Sequence, residues 1–255
     1  AELEFEMIGE HNITGTGMFD VVIGQIPVVI IDLDENNNSG PVMQQTMEDM
    51  GVTVEYTTSI PADMNLYSSA FVCLGIYSSN HVLSSAEGQQ LADFLDGGGM
   101  LYMEGGDTWA YDSQTAVHAM FNINGVEDGS SDLGTINGMT GTFTEGMSYN
   151  YSGENNWIDR LAPIGDAETI LQNQSPSYGT GICYDEGSYK TIGTSHEFGG
   201  LDDSDSSIEE LMEQYLVFFE IITTGVTANF QGDATEICQD DMVSFTDYST
   251  GGVTE

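Results

Sequence analysis

The chain has 255 residues, 40% of them hydrophobic, which suffices for one full domain with small appendages. Against 42 acidic residues stand two cations, Arg160 and Lys190, for a formal charge of −40. Such a surface repels phosphates and anionic headgroups, which excludes nucleic acid as an electrostatic partner and disfavours anionic membranes. No apolar run reaches the ~18 residues of a membrane span, so no membrane insertion is expected. Two cations exclude salt-bridge networks, and self-repulsion makes folding respond to salt or divalent cations.

In chain order, Leu3, Phe5 and Met7 alternate with acids and predict a strand, and Phe19–Ile23 predict another after the turn-rich Asn12–Gly17. Residues 1–25 are read as the end of a preceding β-domain or as a β-extension. With no initiator Met, the chain reads as a piece of a longer polypeptide. Val28–Ile31 is β-branched and apolar, as a strand buried on both faces requires. The polar loop Asp32–Ser39 follows. Pro41 then opens a helix to Met50, because its missing N–H costs nothing in a first turn, and Gly51 ends it. Val52–Tyr56 and Ala70–Tyr77 predict strands. Ser84-Ser85-Ala86-Glu87 is a capping-box pattern opening a helix that buries Ala86, Leu91, Phe94 and Leu95 and stops at Gly97–Gly99. Met100–Met103 is a further strand. This alternation predicts an α/β fold with a mostly parallel sheet, right-handed crossovers and helices on both faces.

Residues 107–165 are rich in Gly, Asn, Ser and Thr and predict an insertion of hairpins and loops. Both tryptophans, Trp109 and Trp157, lie in it, either packed on the sheet or forming an aromatic ligand platform. Ala167–Gln172 predicts a strand, and Gly181–Tyr184 with Tyr189–Thr194 predict a hairpin about Asp185-Glu186-Gly187. Ser206-Ser207-Ile208-Glu209 is a second capping box, before a helix with a broad apolar face ending near Thr223. The organisation expected is therefore residues 1–25, an α/β domain over 26–224 with its insertion at 107–165, and a β segment over 225–255.

The candidate site residues come from the strand-to-helix loops. Asp32, Asp34, Asn36 and Asn38 are spaced oxygen donors, read as ligand-binding, with Asp32 and Asp34 as metal ligands and calcium as the candidate cofactor. The loop lacks the central Gly and final Glu of an EF-hand, and a merely hydrogen-bonded loop is the alternative reading. Tyr77, read as ligand-binding, opens the loop to His81, and Glu104–Asp107 follows the strand at Met100. In an open α/β sheet such loops meet at the carboxyl edge of the strands, where ligands bind. Asp32, Asp34, His81, Glu104 and Asp107 are expected to share one crevice, with His196 and Glu197 reaching it from the late hairpin. A histidine among carboxylates suits hydrolysis or metal binding; solvated loop residues are the alternative. Cys73 and Cys183 sit in apolar strand patterns and are expected to be buried, while the disulfide state of Cys238 is open.

Two family resemblances attach to these residues. Ala228–Gly252, with alternation at Ala228–Phe230, the pair Ile237-Cys238, then Val243–Asp247 and Ser249-Thr250-Gly251, resembles the first half of a PKD domain. That β-sandwich module is common in large secreted proteins, notably those exported by the type IX system of Bacteroidetes. Ile26–Ile222 resembles the class I glutamine amidotransferase-like, flavodoxin-like domains, through Leu83–Asp107 and the Tyr178–Gly193 hairpin. Catalytic members carry a cysteine in a G-x-C-x-G turn after the strand equivalent to Met100–Met103. Here the turn reads Met103-Glu104-Gly105-Gly106-Asp107-Thr108, without cysteine, and the partner His-x-Glu pattern is replaced by adjacent His196 and Glu197.

The expected function is a non-catalytic module of a large secreted or cell-surface multidomain protein, an adhesin or filament component. Its expected partners are neighbouring β-sandwich domains of the same polypeptide, with surface glycans or other copies of the chain as candidates. Two other classes stay open: a hydrolase using the carboxylate–histidine crevice, and a calcium- or carbohydrate-binding module.

Overall fold

The computed structural model describes residues 26–202 and 205–222, and the backbone of 230–232 and 245–247. The hairpin expected in residues 1–25 lies outside these residues. So does most of the PKD-like segment, of which Phe230–Gly232 pairs antiparallel with Phe245–Asp247.

The first half of the domain follows the apolar pattern. Strand β1 (Ile26–Asp32) leads through α1 (Gly40–Asp49) to β2 (Val54–Thr57), and β3 (Tyr67–Cys73) leads through α2 (Ser85–Asp96) to β4 (Met100–Glu104). β1 pairs in parallel with β2 on one side and β3 on the other, and β4 extends the sheet beyond β3. Val28–Ile31 and Met100–Met103 thus share one sheet. The first crossover runs outward from β1 in one direction and the second in the other. With one handedness for both, their helices must lie on opposite faces. Val28 and Ile30 pack under Met43 and Met47 of α1, whereas Val29 and Ile31 pack under Leu91 and Leu95 of α2. The Ser84 box forms: its hydroxyl accepts the Glu87 N–H at 3.3 Å and the Glu87 carboxylate accepts the Ser84 N–H at 2.8 Å.

The second half departs from the expected mostly parallel sheet. After β4 the chain makes β5 (Ile123–Asp128), β6 (Thr135–Gly138), β7 (Ser148–Asn150), β8 (Asp159–Pro163), β9 (Glu168–Asn173), β10 (Tyr178–Asp185) and β11 (Lys190–Thr194), then α3 (Ile208–Phe218). β11 returns parallel to β4, and the order along the sheet is β2-β1-β3-β4-β11-β10-β9-β6-β7, with β8 on β10 and β5 on β8. All pairings beyond β11 are antiparallel, so the eleven strands form a mixed sheet. Turns join β6 to β7, β9 to β10 and β10 to β11 directly, and a direct turn can join only antiparallel neighbours, whereas β5–β8, β6–β9 and β8–β10 pair across longer separations. α3 packs with α1, burying Leu211, Met212, Tyr215 and Leu216. Its cap is Ser207 rather than Ser206. The Ser207 hydroxyl accepts the Glu209 N–H, while that of Ser206 accepts the N–H of Ser148.

The two cations also depart from expectation, since each holds two acids. Arg160 pairs with its cross-strand neighbour Glu127 and with Asp132, and Lys190 pairs with its cross-strand neighbour Asp185 at 3.5 Å and with Glu220 at 2.7 Å. Ladder register brings Glu127 and Asp185 opposite their cations. With 42 acids against two cations, net repulsion dominates. We predict a higher thermal midpoint in about 1 M NaCl, where the Debye length is about 3 Å, than in about 0.01 M, where it is about 30 Å. An unchanged midpoint would mean that the acids are too widely spread for repulsion to count.

Candidate functional site

Ladder register sets the site. Asp32, Cys73, Glu104 and Thr194, the last residues of four adjacent parallel strands, stand abreast across the carboxyl edge of the sheet. Residues in register on parallel strands face the same way, so all four point toward the α1/α3 layer. One residue pair below them, Tyr102 raises its hydroxyl to donate to Glu104 Oε2 at 2.7 Å, within 3.0 Å of Thr194 Oγ1. The N–H of Phe198 donates to the same carboxyl oxygen at 2.8 Å. The Ser39 hydroxyl also bonds Glu104 and accepts the Gly199 N–H. Glu104 is buried, and burial pushes its pKa up to about 8; the hydrogen bonds pull it down and Glu197 pushes it further up. It therefore holds a proton at neutral pH.

The neighbouring acids are also held without a cation. Asp32 accepts from the Tyr56 hydroxyl at 2.6 Å and from the Asp34 N–H, and burial raises its pKa. Asp34 accepts the N–H groups of Asn36 and Asn38; burial, with Glu197 and Asp32 nearby, brings its pKa to about 6. Glu197 Oε2 takes three donors: the Asn38 amide at 2.9 Å, the Tyr151 hydroxyl at 2.9 Å and the Glu154 N–H at 3.0 Å. Its Oε1 is buried with no partner. The loops close this tightly because Gly75, at φ +75°, passes where a Cβ would lie 2.4 Å from Asp34 Oδ1.

Of the residues singled out from sequence, Asp32, Asp34, Glu104 and Glu197 are thus brought together, and Asn38 joins them. Asn36 turns outward to bond Glu154 at 2.6 Å. His81 lies on the outer wall with Glu87 at 3.2 Å, and together with Asp32 and Asp34 the pair lines a depression of about 360 Å³. His196 does not reach the crevice. Its ring is buried against the Thr180 backbone, with burial lowering its pKa to about 4 and Nδ1 left without a partner. It and Glu197 are chain neighbours near extended backbone, where successive side chains point opposite ways. Asp32 and Asp34, the expected calcium ligands, bond the Tyr56 hydroxyl and backbone N–H groups instead. Among the described residues no three His, Cys, Asp or Glu side chains are grouped to hold a metal ion.

Tyr77 and Asp107 enter a second depression of about 370 Å³, shared with Tyr111, Asp128, Asn155 and Trp157. The Tyr77 N–H donates to Asp107 Oδ2 at 3.2 Å, the Asn155 amide donates to the Tyr77 carbonyl, and the Trp157 indole donates to Asp128 at 2.9 Å. Asp107 is raised by burial, with Asp128 adding to the effect. Behind it Asp159 accepts the N–H groups of Trp109 and Ala110, and burial lifts its pKa to about 7. Trp109 is buried, edge-on to Phe121, as packing on the sheet expects, whereas Trp157 is half exposed. Sequence reasoning missed Tyr111, Asp128, Asn155 and Asp159. The one available signal was the density of aromatic, Asp and Asn residues in the turn-rich insertion.

No protein-family model matches the chain, and no curated protein does. Solved structures do resemble it. The mmIFT52 N-terminal domain aligns with TM-score 0.55 at 11% identity, over 77% of this chain and 98% of its own. A ThuA-like protein from Parabacteroides merdae aligns with TM-score 0.51 at 12% identity, over 78% and 92%. Exo-beta-1,4-mannosidase Op5Man5 from an Opitutaceae bacterium aligns with TM-score 0.50 at 10% identity, over 75% of this chain but only 33% of the mannosidase. At these identities the likeness is one of α/β fold alone.

The buried acids make stability depend on pH in a definite direction. In the unfolded chain Glu104 titrates near 4.5, in the fold near 8. Its contribution is full below the lower value and is lost as pH rises through the upper one; Asp34 and Asp159 act in the same sense. The thermal midpoint should therefore fall between about pH 5.5 and about pH 9, and Glu104→Gln should flatten the alkaline part of that fall. Parallel pH profiles for the two proteins would show that Glu104 is ionised throughout.

Proposed function

We propose that this domain is a non-catalytic module of a large secreted or cell-surface multidomain protein, acting by binding rather than turnover, as an adhesin or a filament component does. The observation that carries the reading is the state of the carboxyl edge. Glu104 is sealed under the loops, Asp32 and Asp34 are tied to the Tyr56 hydroxyl and to backbone N–H groups, and the turn after β4 offers Gly105, Gly106 and Asp107 where a nucleophile would stand. A thiolate attack needs an accessible, low-pKa sulfur beside a base. Cys73, the nearer to that turn of the two described cysteines, is fully buried against Met43, and burial together with Glu104, Asp32 and Asp34 raises its pKa well above the ordinary value. Hydrolysis by carboxylate and histidine has little more support: Glu104 and His196 are sealed from solvent, and in the depression that Asp32 and Asp34 share with His81 the two acids are engaged by Tyr56 and backbone N–H groups and the histidine by Glu87.

The reading also takes the domain as a flavodoxin-like relative of the class I glutamine amidotransferase-like domains. The order β2-β1-β3-β4-β11, with helices on both faces, supports this. The PKD resemblance of Ala228–Gly252 and the acidic surface support placement outside the cell, beside β-sandwich neighbours. Calcium has no assigned place in this reading.

The native protein should hydrolyse no amide, ester or glycoside substrate between about pH 5 and about pH 8, the range in which catalytic acids and bases are tuned. Cys73 should stay unlabelled by a thiol reagent in the native state and react on unfolding. Turnover that disappears on labelling Cys73, or in the His81→Ala/Glu104→Gln double variant, would defeat the proposal.

A further inference from the structure

Among the described residues three aromatic rings are left largely in solvent, Tyr77 at 72%, Tyr111 at 68% and Trp157 at 50% exposure, and all three line the one depression beside Asp107. Exposed rings scattered singly need no explanation, but three on one concavity do. They come from separate parts of the chain: the loop after β3, the loop after β4 and the segment before β8. Tertiary structure has gathered them, and hydrogen bonds hold the Trp157 indole and the backbone at Tyr77. Asn155 ties the Tyr77 carbonyl to the Trp157 segment, accepting the Trp157 N–H at 2.8 Å, while Asp128 holds the indole N–H. A platform already held in place loses little conformational freedom on binding.

Resting on the binding-module reading, we propose that this cleft binds a neutral carbohydrate, with the rings stacking on sugar C–H faces and Asp107, Asp128 and Asn155 bonding sugar hydroxyls. Ring faces supply apolar contact to the flat, hydrogen-rich side of a pyranose, and carboxylate and amide oxygens accept from its hydroxyls. The mix of apolar wall and few polar groups is that of a small-molecule site, and about 370 Å³ is the volume of such a site. Charge narrows the class. No cation lines the cleft, and the chain carries −40, so phosphorylated, sulfated and uronic sugars are repelled. A quaternary ammonium ion also favours aromatic rings. It is better served by a closed cage around a compact cation, whereas these rings are open to solvent.

The test uses the 255-residue protein and tryptophan fluorescence. Trp109 is buried, so a ligand in the cleft should report through Trp157. The probes are neutral tetrasaccharides of glucose, mannose, galactose and xylose, a tetragalacturonate and tetramethylammonium. We expect at least one neutral tetrasaccharide to bind with a blue shift, and Trp157→Ala and Tyr111→Ala each to weaken binding by about tenfold or more, a loss of about 1.4 kcal/mol, with unchanged thermal midpoints. Binding of no neutral sugar, preference for the galacturonate or for tetramethylammonium, or affinity unaltered in both variants would overturn the assignment. Chromatography of the bound sugar keeps the two proposals apart. Cleaved product would sink the non-catalytic reading and leave the cleft assignment standing, while intact sugar without binding would do the reverse.

Discussion

Buried carboxyl groups held without a cation are the constraint on which this domain depends. Burying an ionised acid costs many kcal/mol unless it is paired or neutralised, and here the two cations lie elsewhere, on β8 and β11. The chain meets the cost by hydroxyls, backbone N–H groups and retained protons. Tyr102, Ser39 and Phe198 surround Glu104, Tyr56 serves Asp32, and Tyr151 with Asn38 and Glu154 serves Glu197. These donors come from β2, β4, the loop after β1, the segment at 151–154 and the turn at 197–199. Satisfying the acids therefore pins the loop after β1, the segment at 151–154 and the turn at 197–199 to one another.

That pinning decides what the carboxyl edge can do. In open α/β sheets the edge is where ligands enter, but here the central acids are covered by the loops they organise. Asp107, two glycines further along, escapes into a separate concavity formed with the insertion. The insertion is thus more than a decoration of the sheet. Its strands extend the sheet as an antiparallel wing, its turn at Tyr111, its Asp128 and Ser131 and its segment at Asn155–Trp157 supply most of the cleft wall, and Asp159 anchors the chain behind it.

The fold likenesses fit this division. Proteins as different as the mmIFT52 N-terminal domain and a ThuA-like protein share the α/β frame at about one identical residue in nine. A frame tolerates such divergence because apolar positions can be exchanged if volume and pattern are kept. Function belongs to the loops set on the frame, and does not travel with it.

The parallel half of the sheet, its two crossover helices and the Ser84 cap were legible in the amino-acid sequence, because each is written in local periodicity and in capping residues within a few positions. The burial of Cys73 and Cys183 was legible for the same reason. The gathering of Asp32, Asp34 and Glu104 was legible because strand ends in a parallel sheet must meet at one edge. The mixed character of the sheet was legible only in its hairpins, since β5–β8, β6–β9 and β8–β10 pair across longer separations that no local pattern records. The parting of His196 from Glu197 was not legible, since it rests on which way an extended turn faces. Nor was the cleft, whose rings stand at Tyr77, Tyr111 and Trp157, far apart in the chain. Periodicity and capping act over a few residues, and so the sequence alone determined the strands, helices and strand-end acids; contacts between distant residues follow from packing and ladder register, and only the tertiary structure decided which acids are sealed and which aromatic rings share a surface.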